Sequence, residues 1–128
     1  MDNLNYGVIG NCRSAALISE KGSIDWCCLP DFDSPSIFAK LLDKEIGGSF
    51  SFAVDDDYVI SQKYIIWTNV LCTEFKSVHG TFEVIDFMPR YKLTEDDYFT
   101  PAEIYRYIKW ISGSPSFRVL YNPAFNYA

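Results

Sequence analysis

The feature that most constrains this chain is a period-two alternation of apolar and polar residues, interrupted by turn residues. Val70-Leu71-Cys72-Thr73-Glu74-Phe75-Lys76-Ser77-Val78 runs to His79-Gly80, and Thr81-Phe82-Glu83-Val84-Ile85-Asp86-Phe87-Met88 returns from it. Successive side chains on a strand point to opposite faces, so this pair predicts an antiparallel hairpin with one face in a core. Ser49-Phe50-Ser51-Phe52-Ala53-Val54 alternates in the same way before the charged turn Asp55-Asp56-Asp57, and residues 58–67 mix β-branched and aromatic side chains. Earlier, residues 15–19 and 24–29 flank Glu20-Lys21-Gly22-Ser23, with a glycine where a tight turn needs positive φ, and predict another hairpin. Residues 102–111 and 117–121 read as two more strands; the aromatic and β-branched content of residues 104–111 favours a strand over a helix. Residues 89–97 read as a loop with an acidic cluster.

One segment departs from this period. In Asp31-Phe32-Asp33-Ser34-Pro35, Ser34 is suited to cap free N–H groups and Pro35 sits where its missing N–H costs nothing. Ile37, Phe38, Leu41 and Leu42 then recur at helical spacing, and Gly47-Gly48 stops the run. The expected fold is therefore mainly β: an antiparallel β-sandwich of roughly six to nine strands with one short α-helix near residues 34–46, in a single domain over 1–128.

Charge and composition narrow the function. Seventeen acidic against eleven basic residues leave a net charge of -6, which argues against a general nucleic-acid surface. No run of about 18 apolar residues exists, and Met1-Asp2-Asn3-Leu4-Asn5 lacks the basic and apolar stretches of a signal peptide, so the expectation is a cytoplasmic protein without a membrane segment. Cys12, Cys27, Cys28 and Cys72 are expected to be reduced and mostly buried thiols, and without C-x-x-C spacing they predict no zinc or other metal site. Ten Phe, nine Tyr and three Trp suit packed sheets, and also surfaces that stack on sugars or proteins.

No residue here declares itself catalytic. His79 stands alone in a hairpin turn, without partners for a triad or a metal. Asp55-Asp56-Asp57 and Glu95-Asp96-Asp97 read as solvated turns, whereas a catalytic acid needs burial to raise its pKa. Gly7-Val8-Ile9-Gly10 precedes neither a lysine nor a long helix, so no nucleotide or other cofactor is called for. The remaining clue is Trp26 with Asp31, Phe32 and Asp33, an aromatic and acidic loop between strand and helix that suits a sugar site. A plainer reading of the same residues puts Trp26 and Phe32 in the core and lets Asp33 help cap the helix.

The blocks Tyr6-Gly7-Val8-Ile9-Gly10-Asn11-Cys12-Arg13-Ser14-Ala15-Ala16-Leu17 and Gly22-Ser23-Ile24-Asp25-Trp26-Cys27-Cys28-Leu29-Pro30-Asp31-Phe32-Asp33-Ser34-Pro35 carry a resemblance. So do Gly47-Gly48, Asp86-Phe87-Met88-Pro89 and the closing Pro123-Ala124-Phe125-Asn126-Tyr127. In order and spacing they resemble the N-terminal, trehalase-like domain of glycoside hydrolase family 15 proteins of the glucoamylase and trehalase type. Two positions depart from the family's pattern: Asn11 stands where Asp is common, and Asp31 where a basic residue is common.

The resemblance implies a β-sandwich of supersandwich type placed before an (α/α)6 barrel, with both catalytic glutamates in the barrel. No residue of this chain matches either glutamate, so the chain alone is expected not to hydrolyse an α-glucoside. The implied role is a non-catalytic domain that packs on the barrel and helps shape its substrate entrance, with Arg13, Trp26, Asp31, Phe32 and Asp33 as the substrate-proximal candidates. The implied partners are the barrel and α-glucosides, and a surface left without its barrel is expected to favour a homodimer. The alternative is a freestanding carbohydrate-binding or protein-interaction module that has lost the barrel.

Overall fold

The computed structural model describes residues 4–125. Met1, Asp2 and Asn3 at the start, and Asn126 and Tyr127 of the closing motif, lie outside the described residues. The strands, in chain order, are β1 (Tyr6–Gly10), β2 (Ala15–Ser19), β3 (Ile24–Cys28), β4 (Ser36–Phe38), β5 (Ser49–Ala53) and β6 (Val59–Tyr64). There follow β7 (Leu71–Lys76), β8 (Gly80–Phe87), β9 (Tyr91–Lys92), β10 (Tyr98–Phe99), β11 (Tyr105–Gly113) and β12 (Arg118–Asn122). One sheet runs β1-β2-β3-β5-β12, with β4 also paired to β3; the other runs β11-β8-β7-β6; β9 and β10 form a small hairpin. Every pairing is antiparallel.

The expected hairpins form with the expected faces. In β7 and β8, Phe75 lies directly opposite Phe82. Their rings stack at 4.6 Å with planes 3° apart. Phe52 of β5, in the facing sheet, meets Phe75 at 6.2 Å. Nearby, Ile9, Ile18, Ile24, Cys27 and Phe38 of the first sheet pack with Leu71 of the second. The two sheets thus bury one layer of side chains between them, a sandwich-like arrangement in which each fully buried aromatic or aliphatic side chain contributes about 1.5–3 kcal/mol. Gly22 supplies the positive φ expected of it, at 78°.

A charged group also crosses this layer. Arg106 of β11 lies opposite Asp86 of β8, and the pair is 3% and 0% exposed. The guanidinium donates to the Asp86 carboxylate through Nε at 2.7 Å and Nη2 at 3.1 Å. It also reaches the other sheet, donating from Nη1 to the Phe50 carbonyl at 2.7 Å and from Nη2 to the Gly22 carbonyl. The rings of Phe50 and Phe52 lie 4.8 Å from its central carbon.

Beyond Arg106 the layer is uncovered. Register places Ile108 opposite Val84 and Trp110 opposite Phe82, hence on the core side of β11. Val119 and Tyr121 of β12 likewise stand opposite Phe52 and Phe50. Yet all four of these inward residues are exposed, Trp110 to 66%. One edge strand of each sheet, β11 and β12, therefore presents core-type side chains to solvent.

The expected helix near residues 34–46 is absent; the described residues contain no helix at all. Two local preferences override the helical spacing. The Ser34 hydroxyl accepts from the Asp31 N–H at 3.0 Å behind it, so it closes a turn and caps nothing ahead. Ser36-Ile37-Phe38 then pairs with β3 as a strand, Phe38 opposite Cys27 and Ser36 opposite Cys28. Residues 39–48 form a closed loop, with Ala39 and Lys40 N–H groups donating to the Gly47 and Gly48 carbonyls at 2.7 and 3.0 Å. Gly47 is needed for that approach, because a Cβ there would stand 2.2 Å from the Ala39 carbonyl oxygen. A second correction concerns residues 89–97, expected as loop: Tyr91 and Lys92 pair with Phe99 and Tyr98. Strands of two or three residues are too short to show alternation, so the strand count exceeds the expected six to nine.

Candidate functional site

At one end of the sandwich the β1–β2 loop is organised by a single buried amide. Asn11, 2% exposed, donates from Nδ2 to the carbonyls of Pro89 at 3.2 Å and Pro101 at 3.0 Å. Its Oδ1 accepts from the N–H groups of Arg13 and Ser14, both at 3.1 Å. All its hydrogen-bonding capacity toward the protein is engaged, and a carboxylate in its place offers no donors to those carbonyls. The amide thus pins the loop to the segments beyond β8 and before β11, and leaves Cys12 exposed in the left-handed region at φ 71°.

Arg13 is aimed by this loop at Asp31, with Nε 2.8 Å from Oδ1, while Nη1 donates to the Thr100 carbonyl at 3.1 Å. The Phe32 N–H donates to the Arg13 carbonyl at 3.1 Å. Three of the five residues singled out from the sequence therefore meet: Arg13, Asp31 and Phe32 form one half-exposed group, with the Phe32 ring turned to solvent. Trp26 and Asp33 lie in a different place, lining a shallow cleft of about 310 Å³ with Pro35 and Leu42. Trp26 is half-buried and Phe32 exposed, and Asp33 has no helix to cap.

Burial raises the pKa of Asp86, partly offset by its hydrogen bond and charge pairing with Arg106. That carboxylate is bound on both oxygens and wholly buried in the core. The other buried carboxylate, Asp25, accepts from Tyr6 Oη at 2.9 Å and from Ser23 Oγ. Both are structural acceptors between strands and turns. His79, in the expected turn, stands 3.5 Å from Asp57, a pairing between turns that spacing does not reveal. The four cysteines are free, with Cys12 exposed and the others buried.

Beside the Asn11 loop runs a cleft of about 360 Å³ walled by Cys12, Asn69, Val70, Met88 and Arg90. Arg90 lies over the Tyr98 ring at 3.9 Å, so the β9–β10 hairpin folds against this edge. The arrangement offers guanidinium, carboxylate, amide and aromatic groups on loops held by a rigid sandwich, the usual geometry of a recognition surface. Sequence reasoning missed one neighbour: Trp67, at the tip joining β6 to β7, which is wholly exposed.

Comparison with known proteins places this architecture. The family model described as trehalase-like, N-terminal, matches residues 5–128. The chain belongs to the trehalase-like N-terminal family. It is 38% identical over 125 residues to a trehalase of Thermoplasma volcanium, an alignment covering 95% of this chain and 20% of that protein. It is 47% identical over 83 residues to trehalase 1 of Sulfolobus acidocaldarius, covering 65% of this chain and 14% of the relative. It is 27% identical over 139 residues to a trehalase of Mycolicibacterium smegmatis, covering 96% and 20%. No solved structure matches the chain. This member of the trehalase-like N-terminal family spans about a fifth of the length of the trehalases it matches. Among its described residues no helix is long and apolar enough to cross a membrane.

Proposed function

We propose that this chain is a non-catalytic domain of a trehalase-type glycoside hydrolase that packs on the catalytic barrel and lends its loop end to the substrate entrance. The observation that carries this reading is the family match over residues 5–128, combined with a span of only about a fifth of the matched trehalases. Two structural features support it. The buried carboxylates Asp25 and Asp86 are engaged in holding strands together, which leaves neither free for acid–base work on a glucoside. The core-side residues of β11 and β12 stand uncovered, as expected of a domain that meets another.

In this reading residues 1–128 act as one domain, and Arg13, Asp31 and Phe32 contact the sugar or the rim of its site, while Trp26 of β3 and Asp33 line the separate cleft beside Pro35. A guanidinium–carboxylate pair beside an exposed ring suits sugar hydroxyls and an apolar pyranose face. The test has two arms. The chain alone, incubated with trehalose, is expected to release no glucose; release at enzymatic rates overturns the non-catalytic assignment. Alanine at the positions aligned with Arg13, Asp31 and Phe32 in the full-length Thermoplasma volcanium trehalase is expected to raise KM for trehalose several-fold. Unchanged turnover removes these loops from the entrance.

A further inference from the structure

We propose that the tip between β6 and β7 is a docking finger whose Trp67 enters an apolar socket on the catalytic portion of the enzyme. The proposal rests on the domain reading above and names a contact that the reading leaves open.

Trp67 is 100% exposed and its neighbour Ile66 is 78% exposed. The backbone at Trp67 has φ 64°, in the left-handed region that a bulky side chain rarely occupies and that glycine enters freely. This tip is nonetheless well fixed. Ile65 N–H donates to the Val70 carbonyl at 2.9 Å, and Thr68 N–H donates to the Ile65 carbonyl at 3.0 Å. The Thr68 hydroxyl donates to that same carbonyl at 2.7 Å and accepts from Val70 N–H at 3.1 Å. At the base, Tyr64 Oη accepts from Val8 N–H at 2.8 Å and donates to the Val8 carbonyl at 3.1 Å, which ties the hairpin to the other sheet. A hydrogen-bonded turn anchored in this way holds an indole in solvent at a position suited to glycine. Backbone strain opposes folding here and the exposed ring contributes nothing against it, whereas burial of the ring against a partner offsets the strain.

The chemistry of the tip selects the partner. A sugar site needs hydrogen-bonding groups beside the stacking ring, but Thr68 is committed as both donor and acceptor within the turn, and the two residues before the indole, Ile65 and Ile66, are exposed and apolar. An apolar protein socket meets these side chains better. The partner of that kind is the catalytic portion, because the matched trehalases extend over about five times the length of this chain. Location agrees: Asn69, two residues from Trp67, shares a cleft wall with Cys12, next to Arg13. Finger and loop group thus lie toward the same end.

The experiment places glycine and serine at the positions aligned with Trp67 and Ile66 in the full-length Thermoplasma volcanium trehalase, and follows docking of the matched segment by the rate of limited proteolysis at its junction with the rest of the enzyme. The unsubstituted enzyme is expected to resist cleavage there, and both variants to be cut at least tenfold faster. In this chain W67G is expected to unfold at the same temperature as wild type or higher, since glycine suits φ 64°; this separates lost docking from lost folding. Resistance in the unsubstituted enzyme with both variants equally resistant overturns the finger and leaves the domain reading standing. Rapid cleavage of the unsubstituted enzyme at that junction overturns both. Saturable quenching of Trp67 by trehalose or maltose assigns the tip to sugar instead and refutes the socket. A dimer of this chain abolished by W67G assigns it to a second copy and refutes the socket equally.

Discussion

Arg106→Met tests the organisation of the core most directly. The substitution keeps an unbranched side chain of similar reach but removes the charge that pairs with Asp86 and the donors that reach the Phe50 and Gly22 carbonyls. Removing one partner of a buried ion pair costs about 3–5 kcal/mol, because the remaining charge is left without compensation. Unfolding entropy for a chain of 128 residues is about 0.27 kcal/mol/K, so a loss near 4 kcal/mol lowers the midpoint by about 15 °C. The loss also depends on pH with a fixed sign. Burial already raises the Asp86 pKa, and Arg106 is what pulls it back, so the variant raises it further. An acid with a raised folded pKa binds its proton more tightly when folded, so the variant loses stability as pH climbs from the unfolded value through the folded one. The deficit is therefore expected to be greatest at neutral pH and to shrink toward pH 4. Urea unfolding followed by circular dichroism at both pH values measures it. A deficit below about 1 kcal/mol at pH 7, or one equal at both pH values, refutes the clamp. Adding Asp86→Leu to the variant is expected to recover part of the loss, leaving the cost of the two unpaired carbonyls, about 1–3 kcal/mol each.

Two further outcomes follow from burial. Burial pushes the Cys27 thiol to about 12 and the Cys72 thiol to about 11, and raises Cys28 as well, while Cys12 lies exposed on its loop. A disulfide-exchange reagent at pH 8 is expected to titrate one thiol quickly in the native chain and four in denaturant; two or more fast thiols contradict the buried assignment. Trp110→Ser removes a larger apolar surface than Arg106→Met, but from a residue 66% exposed, and is expected to cost about 1 kcal/mol or less in the same urea assay. A loss matching that of Arg106→Met shows that Trp110 is covered in solution.

The hairpins were legible because strands of five or more residues carry enough alternation to fix a face. The same parity that puts Phe82 and Val84 inside puts Asp86 there too, so an inward carboxylate was readable from the sequence. Its partner was not: Arg106 sits 20 residues away among exposed neighbours, and only the antiparallel register brings it opposite. The helix reading failed where a capping serine had two possible targets and the chain took the backward one. Of the five loop candidates the structure brings three together. Arg13, Asp31 and Phe32 come together because Asn11 folds its loop onto distant carbonyls, whereas Trp26 and Asp33 line another cleft. Trp67 left no signal, since its significance lies in a backbone angle and in what fails to touch it.

The ion pair and the uncovered strands are two aspects of one design. On β11 the inward residues run Arg106, Ile108, Trp110, and burial fades along that row. An apolar residue at 106 would hold the sheets only through undirected contact. A guanidinium holds them by directed bonds to a carboxylate on its own sheet and to carbonyls on the other, with two Phe rings excluding water around it. Such a clamp keeps the layer closed whether or not a neighbouring domain covers Ile108 and Trp110. On the proposed reading the partner covers the open row of β11 and β12 without having to close the core, and specificity falls to groups that project beyond it: the Arg13–Asp31–Phe32 loops and the Trp67 tip. A domain built in this way acts as a rigid mount, and substitutions in its projections are expected to change binding without changing the fold.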